Sequence, residues 1–129
     1  MKQPTAFTCG QTCLAMITKK SVEDICLLMG TKRSTTISQV SNTLNKLGYI
    51  VEPKLTRISK KNPLPELAIV KLRKQNRRGK WMNNWHWTVY CNGEFFDPSW
   101  GVVKEYILDL HRMRPVSFMK VEKLGIQTP

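Results

Sequence analysis

The stretch WHWTVYCNGEFFD, residues 85–97, decides how this chain folds. Its first half, WHWTVYC, is short and rich in β-branched and aromatic residues, the composition of a strand. CNGEFFD follows without a gap, and Asn92-Gly93 is the strongest short-range signal for a two-residue type I′ turn. With Asn92 and Gly93 as the loop, Cys91 faces Glu94, Tyr90 faces Phe95 and Thr88 faces Asp97. Side chains alternate along a strand, so His86, Thr88 and Tyr90 share a face with Phe95 and Asp97, while Trp85 and Trp87 take the other face and belong to the core. His86 is then diagonal to Asp97, and diagonal neighbours about 7–8 Å apart allow an imidazole N–H to reach a carboxylate.

Working outward, ELAIVKLR before the hairpin and PVSFMKVEK after it have strand character, as does YIVEPKL. The spacing of VVKEYILDLHRM predicts a last helix between the hairpin and the final strand, with His111 near its C-terminus. Towards the N-terminus the apolar period changes from 2 to about 3.6. Cys13, Leu14, Met16 and Ile17 predict a helix from about Gly10. Ser21 with Asp24 opens a second, closed by Gly30. Thr35 or Thr36 caps a third, whose stripe Ile37, Val40, Leu44 and Leu47 ends at Gly48. The expected architecture is α+β, N-terminal helices packed on a mostly antiparallel sheet. At 129 residues the chain fits one domain, 1–129.

MKQPTAFTCG lacks an apolar run of signal-peptide length, and no stretch approaches the roughly 18 apolar residues of a membrane span. The expectation is a cytoplasmic protein with no transmembrane segment, whose Cys9, Cys13, Cys26 and Cys91 stay reduced. Net charge is +12, and between Lys54 and Lys80 ten basic residues stand against the single acid Glu66. Such a segment attracts an anionic partner, nucleic acid, an acidic protein, an anionic membrane surface or an acidic substrate docked beside the site, or else serves as a solvated face.

Near the N-terminus, QPTAFTCGQTCLAM, residues 3–16, places Cys9 at the mouth of the first helix. Unsatisfied N–H groups and the positive end of the helix dipole favour thiolate there. With His86 as base and Asp97 to orient it, the chain carries the parts of a nucleophilic thiol site. Oxyanion donors are on hand in the Cys9 backbone N–H and the Gln3 side-chain amide. Cys13 and Cys26 sit at apolar helical positions and read as core. A zinc site is disfavoured, because C-x3-C lacks the usual C-x2-C knuckle and no second pair exists. Asp97 before Pro98 also suits a plain turn-former.

Gln3, five intervening residues, Cys9-Gly10, the helix CLAMI, and later HWTVY and FFDPSWG together resemble the papain-like cysteine peptidases that remove double-glycine leader peptides from bacteriocins. That resemblance covers nearly the whole chain. It implies a papain-like fold, Cys9 as nucleophile, His86 and Asp97 completing a triad, Gln3 in the oxyanion hole, a peptide or protein substrate, and no cofactor. A short, lysine-rich, stand-alone cysteine hydrolase would also suit a bacterial or phage genome. Thr8 stands where the family usually carries Asp, the basic stretch KLRKQNRRGKWMNNW is expected as a long loop, and no transporter follows, so the chemistry carries over further than the leader substrate. Against this enzyme reading stands a second one, a basic nucleic-acid-binding module in which Trp81, Trp85 and Trp87 offer stacking faces and the triad residues are structural.

Overall fold

The computed structural model describes residues 8–123, a mixed α+β structure. Three helices come first, α1 (Cys9–Thr18), α2 (Val22–Met29) and α3 (Ile37–Lys46). Their ends follow local chemistry: the Ser21 hydroxyl accepts from the Asp24 N–H, and Thr36 and Gln39 form a reciprocal capping box. Gly30, at φ 79, ends α2 with its N–H donating to the Cys26 carbonyl.

Eight strands follow, β1 (Tyr49–Ile50), β2 (Thr56–Arg57), β3 (Leu67–Gln75), β4 (Trp81–Cys91), β5 (Glu94–Asp97), β6 (Gly101–Val103), β7 (Met113–Lys120) and β8 (Glu122–Lys123), with a single helical turn, α4 (Leu108–His111), between β6 and β7. β1 pairs with β8, and the rest form a six-stranded sheet in the order β2-β7-β3-β4-β5-β6, antiparallel at every pairing described. Asn92 (φ 46) and Gly93 (φ 92) both take the left-handed conformations of a type I′ turn, and Cys91 pairs with Glu94, Tyr90 with Phe95 and Val89 with Phe96.

Three expectations are corrected. VVKEYILDLHRM is not a helix: Val102 and Val103 extend β6, and only Leu108–His111 is helical. The tight turn after Asp97 puts Val103 opposite Phe95, where it gains burial that a helix would not give. YIVEPKL is extended only at Tyr49–Ile50, and β2 begins after it. The basic stretch 71–85 is mostly strand, not a long loop: β3 and β4 run through it and meet at a turn in which the Asn76 side chain accepts from the Arg78 and Lys80 N–H groups.

The sheet buries both faces. On one, Ile69, Trp87, Val89 and Met119 pack against Cys13, Leu14, Ile25, Val40 and Leu44 of the helices. On the other, Ala68, Val70 and Leu72 meet Phe95, Val103, Met113 and Phe118. Among the described residues no helix is long and apolar enough to cross a membrane.

Candidate active site

Where the two faces meet an open strand edge, the chemistry gathers. The β4–β5 ladder ends at Val89–Phe96, so β5 does not pair with β4 at His86–Thr88. The start of α1 comes to this stretch: the His86 side chain and the backbone of Trp87 and Gly10 lie close enough to the Cys9 thiol to lower its pKa. Gly10 is required here by space, since a Cβ on it would stand 2.3 Å from the Thr35 hydroxyl oxygen. Gln11, fully buried, ties the same crossing segment down by donating from Nε2 to the carbonyls of Thr31 and Arg33.

His86 is buried and its Nε2 lies 3.0 Å from Asp97 Oδ1. That leaves Nδ1 for the Cys9 thiol. The diagonal relation across the hairpin, expected from register, is therefore realised as a hydrogen bond. Asp97 Oδ1 also accepts from the Ser99 N–H at 2.7 Å and the Trp100 N–H at 3.0 Å. Asp97 thus shapes the turn into Gly101 (φ 79) and holds the histidine, so the turn-former and the orienting residue are the same carboxylate.

Its second oxygen is engaged by a residue that sequence reasoning missed. Tyr106 Oη donates to Asp97 Oδ2 at 2.5 Å. A phenol has one proton, so the Thr88 hydroxyl, 3.1 Å from Tyr106 Oη and 3.2 Å from the Phe96 carbonyl, supplies its own. Tyr106 lies in the segment expected to be helical, and nothing local signals its reach to Asp97.

The charges follow from these contacts. Burial pushes the Cys9 thiol up, but the hydrogen bond and charge of His86, with the Trp87 and Gly10 N–H groups, outweigh it, and the thiol falls below its ordinary range. Burial works against a charged His86, yet the hydrogen bonds and negative charges of Asp97 and Cys9 carry it up to about 9. Burial likewise opposes the Asp97 carboxylate, and His86, Tyr106 and the Ser99 N–H hold it below its usual value nonetheless. The lowered thiol and the raised imidazole move in the directions that favour a thiolate beside an imidazolium.

Of the expected site residues, Cys9, His86 and Asp97 come together, whereas Gln3 lies outside the described residues. Cys13 is fully buried among helix-core residues, and burial followed by repulsion from Cys9 and Asp97 drives its thiol well above the ordinary range. Trp87 is buried and Trp85 packs against the helix-side core. Trp100 is half exposed and meets His111 edge-on, their centroids 4.8 Å apart. Among the described residues no group of three or more His, Cys, Asp or Glu gathers as metal ligands.

The Lys54–Lys80 charge is spread over several elements. Lys71 covers the Trp85 ring at 4.4 Å, and Arg73 of β3 with Arg114 of β7 approaches Trp81 at 5.2 and 5.3 Å. No protein-family model matches the chain, and no match is found among curated proteins.

Proposed function

We propose that the chain is a cysteine hydrolase of the papain-like type that cleaves a peptide or amide bond by acyl transfer to water. The observation that carries this reading is His86 acting on two partners, bonded through Nε2 to Asp97 and near enough to the Cys9 thiol to shift its charge. The thiolate attacks the substrate carbonyl carbon. Negative charge moves to the oxygen, where the Cys9 N–H, one of the groups that a helix start leaves without a partner inside the helix, is one donor. The Gln3 amide is assigned as the second on sequence grounds. His86 then gives its Nδ1 proton to the leaving nitrogen, the C–N bond breaks, and a thioester remains. Neutral His86 takes a proton from water, the hydroxide adds to the thioester, and the thiolate departs with the acid released. Asp97 keeps the ring in one orientation throughout.

The test is labelling by iodoacetamide from pH 5 to 9, with peptide mapping, of wild type, Cys9→Ala and His86→Ala. Cys9 is expected to react below pH 7, far ahead of Cys13, Cys26 and Cys91, and to lose that lead without His86. Equal reactivity of the four thiols would sink the reading.

The nucleic-acid reading draws on the Lys71, Arg73 and Arg114 cations over Trp85 and Trp81. Those contacts place the strands' own side chains over the rings where bases would stack. Oligonucleotide binding that falls steeply with salt and survives Cys9→Ala would favour it.

A further inference from the structure

A cleft of about 370 Å³ opens beside His86, and Lys74, Met82, Trp100, His111 and Arg112 line it. Cys9 is not in its wall. In the proposed reaction the acyl carbon sits on the Cys9 sulfur and the leaving nitrogen takes its proton from His86. A leaving segment that runs past the histidine, away from the sulfur, would enter this cleft.

The charge of this cleft has one sign. Lys74 and Arg112 line it and no Asp or Glu does, and neither cation is ion-paired among the described residues. Two other depressions, of about 490 and 530 Å³, mix Lys with Glu52, Glu66 and Glu122 and contain none of the triad. The Arg112 backbone is fixed in place. It takes a left-handed conformation (φ 56), rare for a long side chain, and its carbonyl accepts from the Gln75 N–H at 2.8 Å, bonding the end of α4 to β3. His111 Nδ1 accepts from the Ile107 N–H at 3.0 Å, which puts the ring proton of the neutral form on Nε2 as a third donor. Trp100 and Met82, each about two-fifths to one-half exposed, give the cleft apolar walls for the methylenes that carry an acid.

We propose that this cleft binds a carboxylate on the leaving segment of the substrate, making the chain selective for acidic peptides on that side of the scissile bond. The proposal deepens the hydrolase reading and rests on it for the direction of the substrate.

The experiment uses the full chain with Cys9→Ala, so that nothing is turned over. It follows backbone and indole N–H resonances by NMR during titration with acetyl-Gly-Glu-Gly-amide, its Gln counterpart, and acetyl-Gly-Gln-Gly with a free C-terminal carboxylate. The Glu peptide is expected to shift Trp100, His111 and Arg112 at about tenfold lower concentration than the amidated Gln peptide. Adding Lys74→Glu and Arg112→Glu is expected to remove that preference. If the free-carboxylate peptide matches the Glu peptide, a terminal carboxylate of the leaving residue is also accepted; if only the Glu peptide binds, the acid is a side chain. Equal binding of all three, or shifts away from Trp100 and His111, would overturn the proposal. So would an oligothymidylate that saturates the same resonances below the Glu peptide, since the ligand would then be a phosphate. The Glu-over-Gln comparison needs no charge-reversed variant to fold. A chain that shows this preference yet fails the Cys9 labelling test loses the hydrolase reading and keeps the anion cleft.

Discussion

Cys9 and Cys13 stand one turn apart on α1, and their thiols are pushed in opposite directions. Burial raises both. What separates them is donors: Cys9 has His86 and the N–H groups of Trp87 and Gly10, whereas Cys13 lies in the apolar core and feels the negative charge of Cys9 and Asp97. The lowered Cys9 thiol is thus a property of the meeting point between a helix start and an uncovered strand edge, and one turn inward the shift is reversed.

The change expected to narrow this gap most is Asp97→Asn. The carboxylate is the leading cause that raises His86 against burial, so removing it lets desolvation lower the imidazole pKa. In wild type the imidazolium is lost as pH rises through about 9, and that alkaline limb of Cys9 labelling should move to lower pH in the variant. At pH 7 the Cys9 rate should fall by about a hundredfold, because the amide can also donate to Nε2 and favour the wrong tautomer. Cys13 should remain as inert as before. An alkaline limb unmoved from the wild-type position would assign the raised imidazole to Cys9 alone.

The next effect comes from the backbone beneath the thiol. Gly10→Ala gains about 1 kcal/mol of helix propensity. Against it, a Cβ would lie 2.3 Å from the Thr35 hydroxyl and 3.2 Å from its two carbons, and overpacking of this kind costs about 1–3 kcal/mol. The clash should win, lowering the thermal midpoint and shifting Cys9 away from His86, so that both stability and labelling drop. Thr35→Ala removes the hydroxyl and one of those carbons, and the double variant is expected to recover most of both. A double variant no better than Gly10→Ala would mean that the crossing segment is not what demands glycine.

How much of this was legible follows from where the determining contacts lie. The hairpin was readable because Asn92-Gly93 fixes its own register, and register alone brings His86 towards Asp97. The helices were readable because caps such as Thr36–Gln39 are local. The 102–113 segment differs from expectation because Val102, Val103, Tyr106, Ile107 and Leu110 imitate a helical stripe. Their actual placement depends on Val103 filling a gap against Phe95 and on Tyr106 reaching back to Asp97, both non-local. The charge of the basic stretch suggests a solvated loop, yet Lys71 and Arg73 set their cationic groups over tryptophan rings of the paired strand. Gln3 belongs to the sequence reading alone.

Tyr106→Phe is the smallest perturbation and the most specific. The ring should stay, because Phe keeps the edge contacts to Phe95 at 5.0 Å and His111 at 5.3 Å. Only the hydroxyl goes, and with it the donor to Asp97 Oδ2, while Oδ1 retains His86, Ser99 and Trp100. Thr88 can turn its hydroxyl fully to the Phe96 carbonyl. A buried acceptor that loses one donor among several costs about 1–3 kcal/mol, and labelling of Cys9 should slow by about three- to tenfold. Asp97 is held below its ordinary value in the fold, so the stability it contributes is present above its unfolded pKa of 3.8 and fades as pH falls through the folded one. Without the Tyr106 donor the folded pKa rises towards 3.8, and acid unfolding should begin at higher pH than in wild type. The alkaline limb near 9 should hardly move, because His86 keeps its carboxylate. A purely packing role for Tyr106 would leave the acid onset where it was, since the phenyl ring still fills the same space.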